Sequence, residues 1–370
     1  MEGLVKDLFC YYKGKRVFVT GHTGFKGMWL CKILEMAGAE VIGYALPPET
    51  RDNQDVLYAS KIENDMTSIY GDVRDFLNLK EALNKAEPEY VIHLAAQPLV
   101  TVSYDNPVET YATNVMGTVN ILESVRQYGK VKSFLNVTTD KVYDNKEWQW
   151  GYRENEPLDG YDPYSNSKSC SELVTHSYKK SFFTNGTAIS TARAGNVIGG
   201  GDFAINRIIP DCVRAAYNRE MIEVRNPFST RPYQHVLEPL YAYLMILANS
   251  AENGQLADWY NVGPNEKDCI TTGELVDLFC SVWGEGISWK NKDNMEEMAN
   301  KHEAGYLKLD CSKLKCTFSW EPRWGIQEAI EKTVEWSKAY QYKKDIIAVM
   351  ERQINVFFRR IDNGQARVTR

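Results

Sequence analysis

From residue 16 onward, short apolar runs of strand length alternate with longer stretches whose apolar positions recur at helical spacing. RVFVT (16–20) is followed by a helical stretch from about Phe25 to Met36 and then by EVIGY (40–44). A strand, a helix and a strand of these lengths predict a right-handed βαβ unit in a parallel sheet. The alternation continues through SIYGDV (68–73), a helix near 75–85, YVIHLA (90–95), a helix from about Pro107 to Gln127, and SFLNVT (133–138). The fold class this predicts is α/β, a doubly wound parallel sheet of the Rossmann kind. One more helix is expected to start just after Pro163, since proline suits a first helical position.

After about Val197 the rhythm loosens into IGGGDFAINRIIP, RNPFSTRPYQHVLEP and a stretch rich in tryptophan and lysine. These segments predict a smaller, interleaved C-terminal substrate-binding lobe. The expected division is a dinucleotide-binding domain over 12–196 with a return near 236–262, a discontinuous lobe over 197–345, and a C-terminal tail over 346–370. Without an internal repeat or a low-complexity linker, the lobes are expected to pack together.

Composition narrows the function classes. The chain has 370 residues, 44% hydrophobic and 25% charged, and a net charge of −6, which supplies no electrostatic footprint for nucleic acid. Its last dozen residues are basic and are read as a solvated end. Eight cysteines (10, 31, 170, 212, 269, 280, 311, 316) form no CxxC pair, and the five histidines show no ligand spacing, so reduced thiols and no metal are expected. The N-terminal residues lack the apolar core of a signal peptide and no apolar run reaches 18 residues, so the expected setting is the cytoplasm, with no membrane contact.

VTGHTGFKG (19–27) sets Gly21, Gly24 and Gly27 between the first strand and the first helix. Glycines there permit a tight turn and a close backbone approach, while the helix N-terminus offers unpaired N–H groups to a pyrophosphate. Gly21, Thr23, Gly24, Phe25 and Gly27 are therefore candidates for holding a dinucleotide. The acidic residue expected about 20 positions on is replaced by Tyr44, and Arg51 stands several residues further, so NAD is expected and NADP stays open. Asp72, followed by Val73, is either an acceptor for the adenine amino group or a turn residue.

Two further features carry chemistry. In YDPYSNSKSC, Tyr164 and Lys168 are four residues apart on one helical face, where a lysine cation lowers a neighbouring phenol's pKa and makes Tyr164 a base for an alcohol proton. In NVTTDKVYDN, an apolar strand closes on Thr139, Asp140 and Lys141, which is either a capped turn or a functional strand end.

The order TGxxGxxG, HLAAQ, NVMGT, strand-end Thr and YxxxK resembles the extended short-chain dehydrogenase/reductase family over roughly residues 15–335. Within it, GHTGFKG, AAQPLV, TTDKVYDN, RAGNVIGGGD, RPYQHVLEPL and YLKLDCSK are similar to the CDP-glucose 4,6-dehydratases, which carry Thr-Asp-Lys where dTDP-glucose dehydratases carry Thr-Asp-Glu. The resemblance implies an NAD-dependent enzyme that oxidises C4 of CDP-glucose, eliminates water across C5 and C6, and returns the hydride to C6, feeding deoxysugar synthesis. It implies that Tyr164, with Lys168 and Thr139, removes the 4-hydroxyl proton, that Lys141 takes the C5 proton, and that Asp140 protonates the leaving 6-hydroxyl.

That chemistry calls for a neutral lysine and a protonated carboxylic acid, and burial moves both groups that way. The pair is accordingly expected to point at different substrate atoms and not at each other. The resemblance further implies Val73, Ala95, Ala96 and Asn114 for the cofactor, and Gln97, Asn196, Arg231, His235 and Tyr306 for the sugar nucleotide. Arg207 and Arg225 are additional candidates, because a guanidinium fork suits a diphosphate. His235 has an alternative reading as a hydrogen-bonded core histidine, and Arg193 as a structural tie. A homodimer through the helices near 107–127 and 164–182 is also implied. Rival readings are a 4-epimerase, which has no need of Asp140 and Lys141, and a non-catalytic dinucleotide-binding scaffold.

Overall fold

The first strand, β1 (Arg16–Thr20), leads through the glycine turn into α1 (Phe25–Met36), then β2 (Glu40–Ala45), β3 (Thr67–Tyr70), α2 (Phe76–Ala86) and β4 (Tyr90–His93). There follow α3 (Gly117–Tyr128), β5 (Ser133–Thr139), α4 (Pro163–Phe182), β6 (Ala188–Ala194), α5 (Leu237–Glu252), β7 (Trp259–Val262) and a last helix, α6 (Ile346–Gln365). This computed structural model describes residues 4–5, 7–48, 51–184, 186–292 and 305–365, without the side chains of 359–365. Among the described residues the strands form one parallel seven-stranded sheet in the order β7-β6-β5-β4-β1-β2-β3. The order reverses beside β1, and in such sheets ligands bind at the carboxyl ends near that switch.

Local chemistry sets the element ends. Asp75 caps α2 by accepting from the Asn78 amide, and Asp162 caps α4 by accepting from the Ser165 amide, with Pro163 in the first turn. Every residue of β5 and of β6 is buried, as strands covered by helices on both faces require.

Three expectations are corrected. The SIYGDV strand ends at Tyr70; Gly71 lies against the Tyr44 ring so closely that an added Cβ would fall 2.4 Å from it, and the chain turns at Val73 and Arg74. The helix expected over 107–127 is broken by a π turn, Ala112–Met116, between Pro107–Tyr111 and α3. The first part of the tail is structured: Ile346, Val349, Met350, Ile354 and Phe357 of α6 lie in the main core. Residues 366–370 lie outside the described residues.

Helix α5 is buried from Leu237 to Ser250 and packs on β5 and β6. A helix apolar on all sides belongs inside a large core, and this one brings β7 onto the sheet edge beside β6. The smaller lobe has its own core, including Ile209, Cys212, Leu275, Phe279, Trp283 and Ile330. Short pairings, Ile222–Val224 with Trp289–Asn291 and Thr230–Arg231 with Ile270–Thr271, brace it. All eight cysteines are free thiols, and no helix among the described residues is long and apolar enough to cross a membrane.

Candidate active site

A cleft of about 2780 Å³ runs along the carboxyl ends of the central strands and into the smaller lobe. At one end stands the glycine turn. Gly21 has φ +78°, and a Cβ there would lie 2.8 Å from the Ala95 amide nitrogen; a Cβ on Gly27 would lie 2.1 Å from the Gly21 carbonyl oxygen. Only glycine lets strand, turn and helix approach so closely. Gly24 precedes α1 without a side-chain cap, leaving the first-turn N–H groups of a 12-residue helix facing the cleft. Thr23, Phe25, Asp72, Val73, Ala95 and Ala96 line the same end, so these residues fit a dinucleotide.

At the second-strand end Tyr44 is 1% exposed and donates to the Asp72 carbonyl at 3.1 Å. Leu46, Pro47 and Asn53 line the cleft there instead. The Asp72 carboxylate accepts from Arg74 through the backbone amide (2.8 Å) and the guanidinium (2.8 and 2.5 Å) while still bordering the cleft.

In the middle of the cleft, β5 ends and a single 3₁₀ turn, Asp140–Val142, begins. The cap of this turn is Thr139, whose Oγ1 accepts from the Lys141 amide (3.4 Å) and donates to Asp140 Oδ1 (2.9 Å). Asp140 therefore has no capping task. It is 1% exposed, and its Oδ2 is buried without a partner among the described residues. An orphaned buried carboxylate oxygen costs free energy on the order of 1–3 kcal/mol or more and calls for an explanation in function. Burial raises the Asp140 carboxyl above its ordinary value, against opposing influences of Lys141, Thr139, Arg231 and Lys26. Lys141, half-buried and lining the cleft, makes no ion pair with Asp140 among the described residues.

Tyr164 and Lys168 face the same space from α4. Burial pushes the Tyr164 phenol up to about 12, while the Thr139 hydroxyl and Arg207 pull it down. Burial also lowers Lys168 to about 8, countered by Glu172. Lys168 Nζ donates to the Val137 carbonyl at 3.1 Å, so the phenol's immediate help comes from Thr139 and Arg207, a refinement of the simple Tyr–Lys pair. Gln97, Asn196, Arg207, Arg225 and Arg231 line the remainder, with Arg207 donating to Asp202 at 2.9 Å.

Three expected residues stand elsewhere. Asn114 is buried behind the 94–99 segment: its Oδ1 accepts from the Gln97 amide (2.9 Å) and its Nδ2 donates to the Gln97 carbonyl (3.0 Å) and Ser167 Oγ (2.9 Å). It braces the cleft wall from the π turn. His235 is the core histidine of its two readings, fully buried with its ring 4.8 Å from Trp324 and 6.0 Å from Trp29, and Nδ1 accepting from the Leu237 amide. Burial lowers it to about 3, so it is neutral. Tyr306 lies outside the cleft because its hydroxyl donates to the Gln149 carbonyl (3.1 Å) and its amide to Glu147 (2.5 Å), tying it to the 147–149 loop.

Lys26 is a cleft cation absent from the residues expected above. Burial lowers it to about 8, Arg207 and Lys168 add to this, and Asp140 and Asp202 oppose them. The signal was available: a lysine in the first turn of a helix opposes the macrodipole and needs another reason to be there.

The family described as GDP-mannose 4,6 dehydratase matches residues 18–333. A CDP-glucose 4,6-dehydratase of Salmonella typhimurium strain LT2 is 46% identical over 352 residues, covering 93% of this chain and 96% of that protein. The solved dTDP-glucose 4,6-dehydratase of Bacillus anthracis, in complex with NAD, superposes with a TM-score of 0.73 at 20% identity, over 91% of this chain and 100% of that one. The UDP-glucose 4-epimerase of Thermus thermophilus, in complex with NAD, gives 0.75 at 25% identity, over 87% and 99%. Matched across most of its length by sequence and by fold, the chain belongs to the GDP-mannose 4,6 dehydratase family, among the extended short-chain dehydrogenase/reductases.

Proposed function

We propose that the protein is an NAD-dependent CDP-glucose 4,6-dehydratase, a hydro-lyase that converts CDP-glucose to CDP-4-keto-6-deoxyglucose and water. The observation that carries this reading is Asp140: a buried carboxyl whose one unsatisfied oxygen shares a cleft with Lys141, Tyr164 and Lys168. An epimerase needs the tyrosine and lysine but has no use for this acid, and a binding scaffold needs none of them. The 46% identical relative bears the same activity in its name.

Bound NAD supplies the hydride acceptor for C4 and the donor for C6. The glycine turn, α1 and the 94–97 segment hold it, with Gly21, Gly24 and Gly27 admitting the pyrophosphate. Tyr164, its phenol pushed up by burial and drawn back by Thr139 and Arg207, takes the 4-hydroxyl proton. With a ketone at C4 the C5 hydrogen becomes acidic, and Lys141 removes it, giving a proton back to C5 once C6 has been reduced. Asp140, its carboxyl raised by burial, gives its proton to the departing 6-hydroxyl, so water leaves. Arg231, 3% exposed and lining the cleft, and Arg207 suit the diphosphate by their forked donors.

Incubated with CDP-, dTDP-, UDP- and GDP-hexoses, the purified protein is expected to give the alkaline absorbance of a 4-keto-6-deoxy sugar, fastest from CDP-glucose. No such product from any of the four would overturn the reading; a faster reaction with another nucleotide would move the substrate and keep the chemistry. The setting is the cytoplasm and the assembly a homodimer. Val108 (83% exposed), Met116 (51%) and Leu173 (53%) leave an apolar surface on the 107–128 and α4 helices that a second copy would cover. A monomer mass in sedimentation at micromolar concentration would remove the dimer.

A further inference from the structure

Beneath the cleft lies a fully buried ion pair to which the reaction above assigns no part. Glu172 and Arg193 are both without solvent exposure, and Arg193 Nη2 donates to Glu172 Oε2 at 3.0 Å. The same carboxylate accepts from Thr138 Oγ1 at 2.5 Å and Thr191 Oγ1 at 2.8 Å, with His176 Nε2 at 3.2 Å. Arg193 Nη1 donates to the Tyr143 hydroxyl (2.9 Å) and the Glu154 carbonyl (3.0 Å), and its guanidinium lies 5.1 Å from the Tyr143 ring centre. Tyr143 in turn donates to Asn261 Oδ1 on β7 at 2.6 Å.

A buried pair is weak evidence for stability by itself, because desolvation offsets most of its Coulomb gain. Its connections say more. Glu172 stands four residues after Lys168 on the helix that carries Tyr164, so it shares their side of α4. Thr138 immediately precedes Thr139, and Tyr143 follows Lys141 by two residues. The two halves of the chemistry sit on separate elements, and this network joins them: α4 with the redox pair on one side, the end of β5 with the acid and base on the other.

We infer that Glu172, held by Arg193, is a positioning residue for the dehydration, fixing α4 against the end of β5 and supplying the counter-charge to Lys168. The inference rests on the reading of the protein as a dehydratase. Although burial opposes it, Arg193 and the other donors hold the Glu172 carboxyl far below the usual range, so it stays an anion at working pH. Burial brings Lys168 to about 8, and Glu172 pushes it back up. From other elements Lys26 on α1 faces Lys168 as a cation, and His93 on β4 faces it uncharged, since burial lowers the imidazole to about 3. Neither of these two neighbours can replace the negative charge of Glu172.

The test follows two rates against pH in wild type, Glu172→Gln and Thr138→Val: 4-keto-6-deoxy sugar formed from CDP-glucose, and NADH formed from CDP-6-deoxyglucose, which can be oxidised at C4 but has no 6-hydroxyl to lose. Glu172→Gln is expected to lower both, and to move the alkaline limb of NADH formation down by roughly one pH unit, the direction that loss of a neighbouring anion imposes on a lysine. Thr138→Val keeps the charge and releases the strand end. It should slow product formation about tenfold or more while NADH formation stays within about twofold and its pH limb does not move. If Glu172→Gln does not fold, the Thr138→Val split between the two rates alone decides. Variants that melt earlier but keep wild-type rates and pH limbs would make the pair a structural filler and overturn the inference. A wild type inactive on every nucleotide sugar overturns the dehydratase reading, and with it this one.

Discussion

Lys141→Ala and Asp140→Asn are each expected to slow formation of the 4-keto-6-deoxy sugar by roughly 10²–10⁴-fold, the usual contribution of a positioned acid or base, while C4 oxidation continues. The two residues follow Thr139 in a turn that Thr139 caps, so shortening or neutralising them leaves the turn's hydrogen bond in place. Asp140→Asn retains the shape and the bond from Thr139 but has no proton to give to the 6-hydroxyl. Lys141→Ala removes the proposed base and, in addition, the largest of the influences that oppose the rise of the Asp140 carboxyl.

The sign of the pH effect follows. Turnover needs Asp140 protonated, so it falls as pH rises through the Asp140 pKa, and loss of Lys141 raises that pKa. The residual activity of Lys141→Ala should therefore persist to higher pH than that of the wild type. The measurement is product formation against pH alongside NADH formation from CDP-6-deoxyglucose. Equal losses in the two assays would show that Asp140 and Lys141 serve the redox step, and would refute their assignment to elimination.

Tyr164→Phe is expected to abolish both measured rates together, again by about 10²–10⁴-fold. The phenol is half-buried at the centre of the cleft and burial pushes it up to about 12; the Thr139 hydroxyl and Arg207 draw it back. The redox step needs the phenolate form, so its rate rises with pH through the Tyr164 pKa. Thr139→Val removes the first of the two aids and should move this acidic limb to higher pH, leaving the binding of CDP-glucose nearly unchanged. A Tyr164→Phe variant that still formed NADH from CDP-6-deoxyglucose at more than a tenth of the wild-type rate would shift the role of base to another group. The contrast between the two sets of variants separates hydride chemistry from water removal within one cleft.

The sheet was legible because its causes are local. Runs such as RVFVT and SFLNVT are apolar enough to be buried on both faces, and the glycines of VTGHTGFKG announce a tight turn, where a Cβ on Gly21 or Gly27 would meet backbone. Asp162 and Pro163 mark the start of α4 for equally local reasons: a side-chain cap and a fixed φ. Gly21, Gly24, Gly27, Thr139, Asp140, Lys141, Tyr164 and Lys168, on or beside these elements, line the cleft. Those named from the looser half fared less evenly. Arg207 and Arg231 line the cleft, whereas His235 faces Trp29 and Trp324, and Tyr306 is tied to the loop of Glu147.

What the sequence by itself determined is therefore the order of strands and helices, the glycine turn and the helical spacing of Tyr164 and Lys168, all consequences of backbone geometry over a few residues. Tertiary structure alone decided the rest. It turned the π-turn Asn114 inward to Gln97, made Lys26 a neighbour of Asp140, bonded Tyr44 at the second-strand end to Asp72, buried α5 on every side, and joined Glu172 to Thr138 and Arg193 across three elements. Each of these depends on where a side chain stands relative to residues far along the chain. Burial, which gives Asp140 its raised pKa and leaves its Oδ2 without a partner among the described residues, is a property of the packed molecule and of no stretch of its sequence.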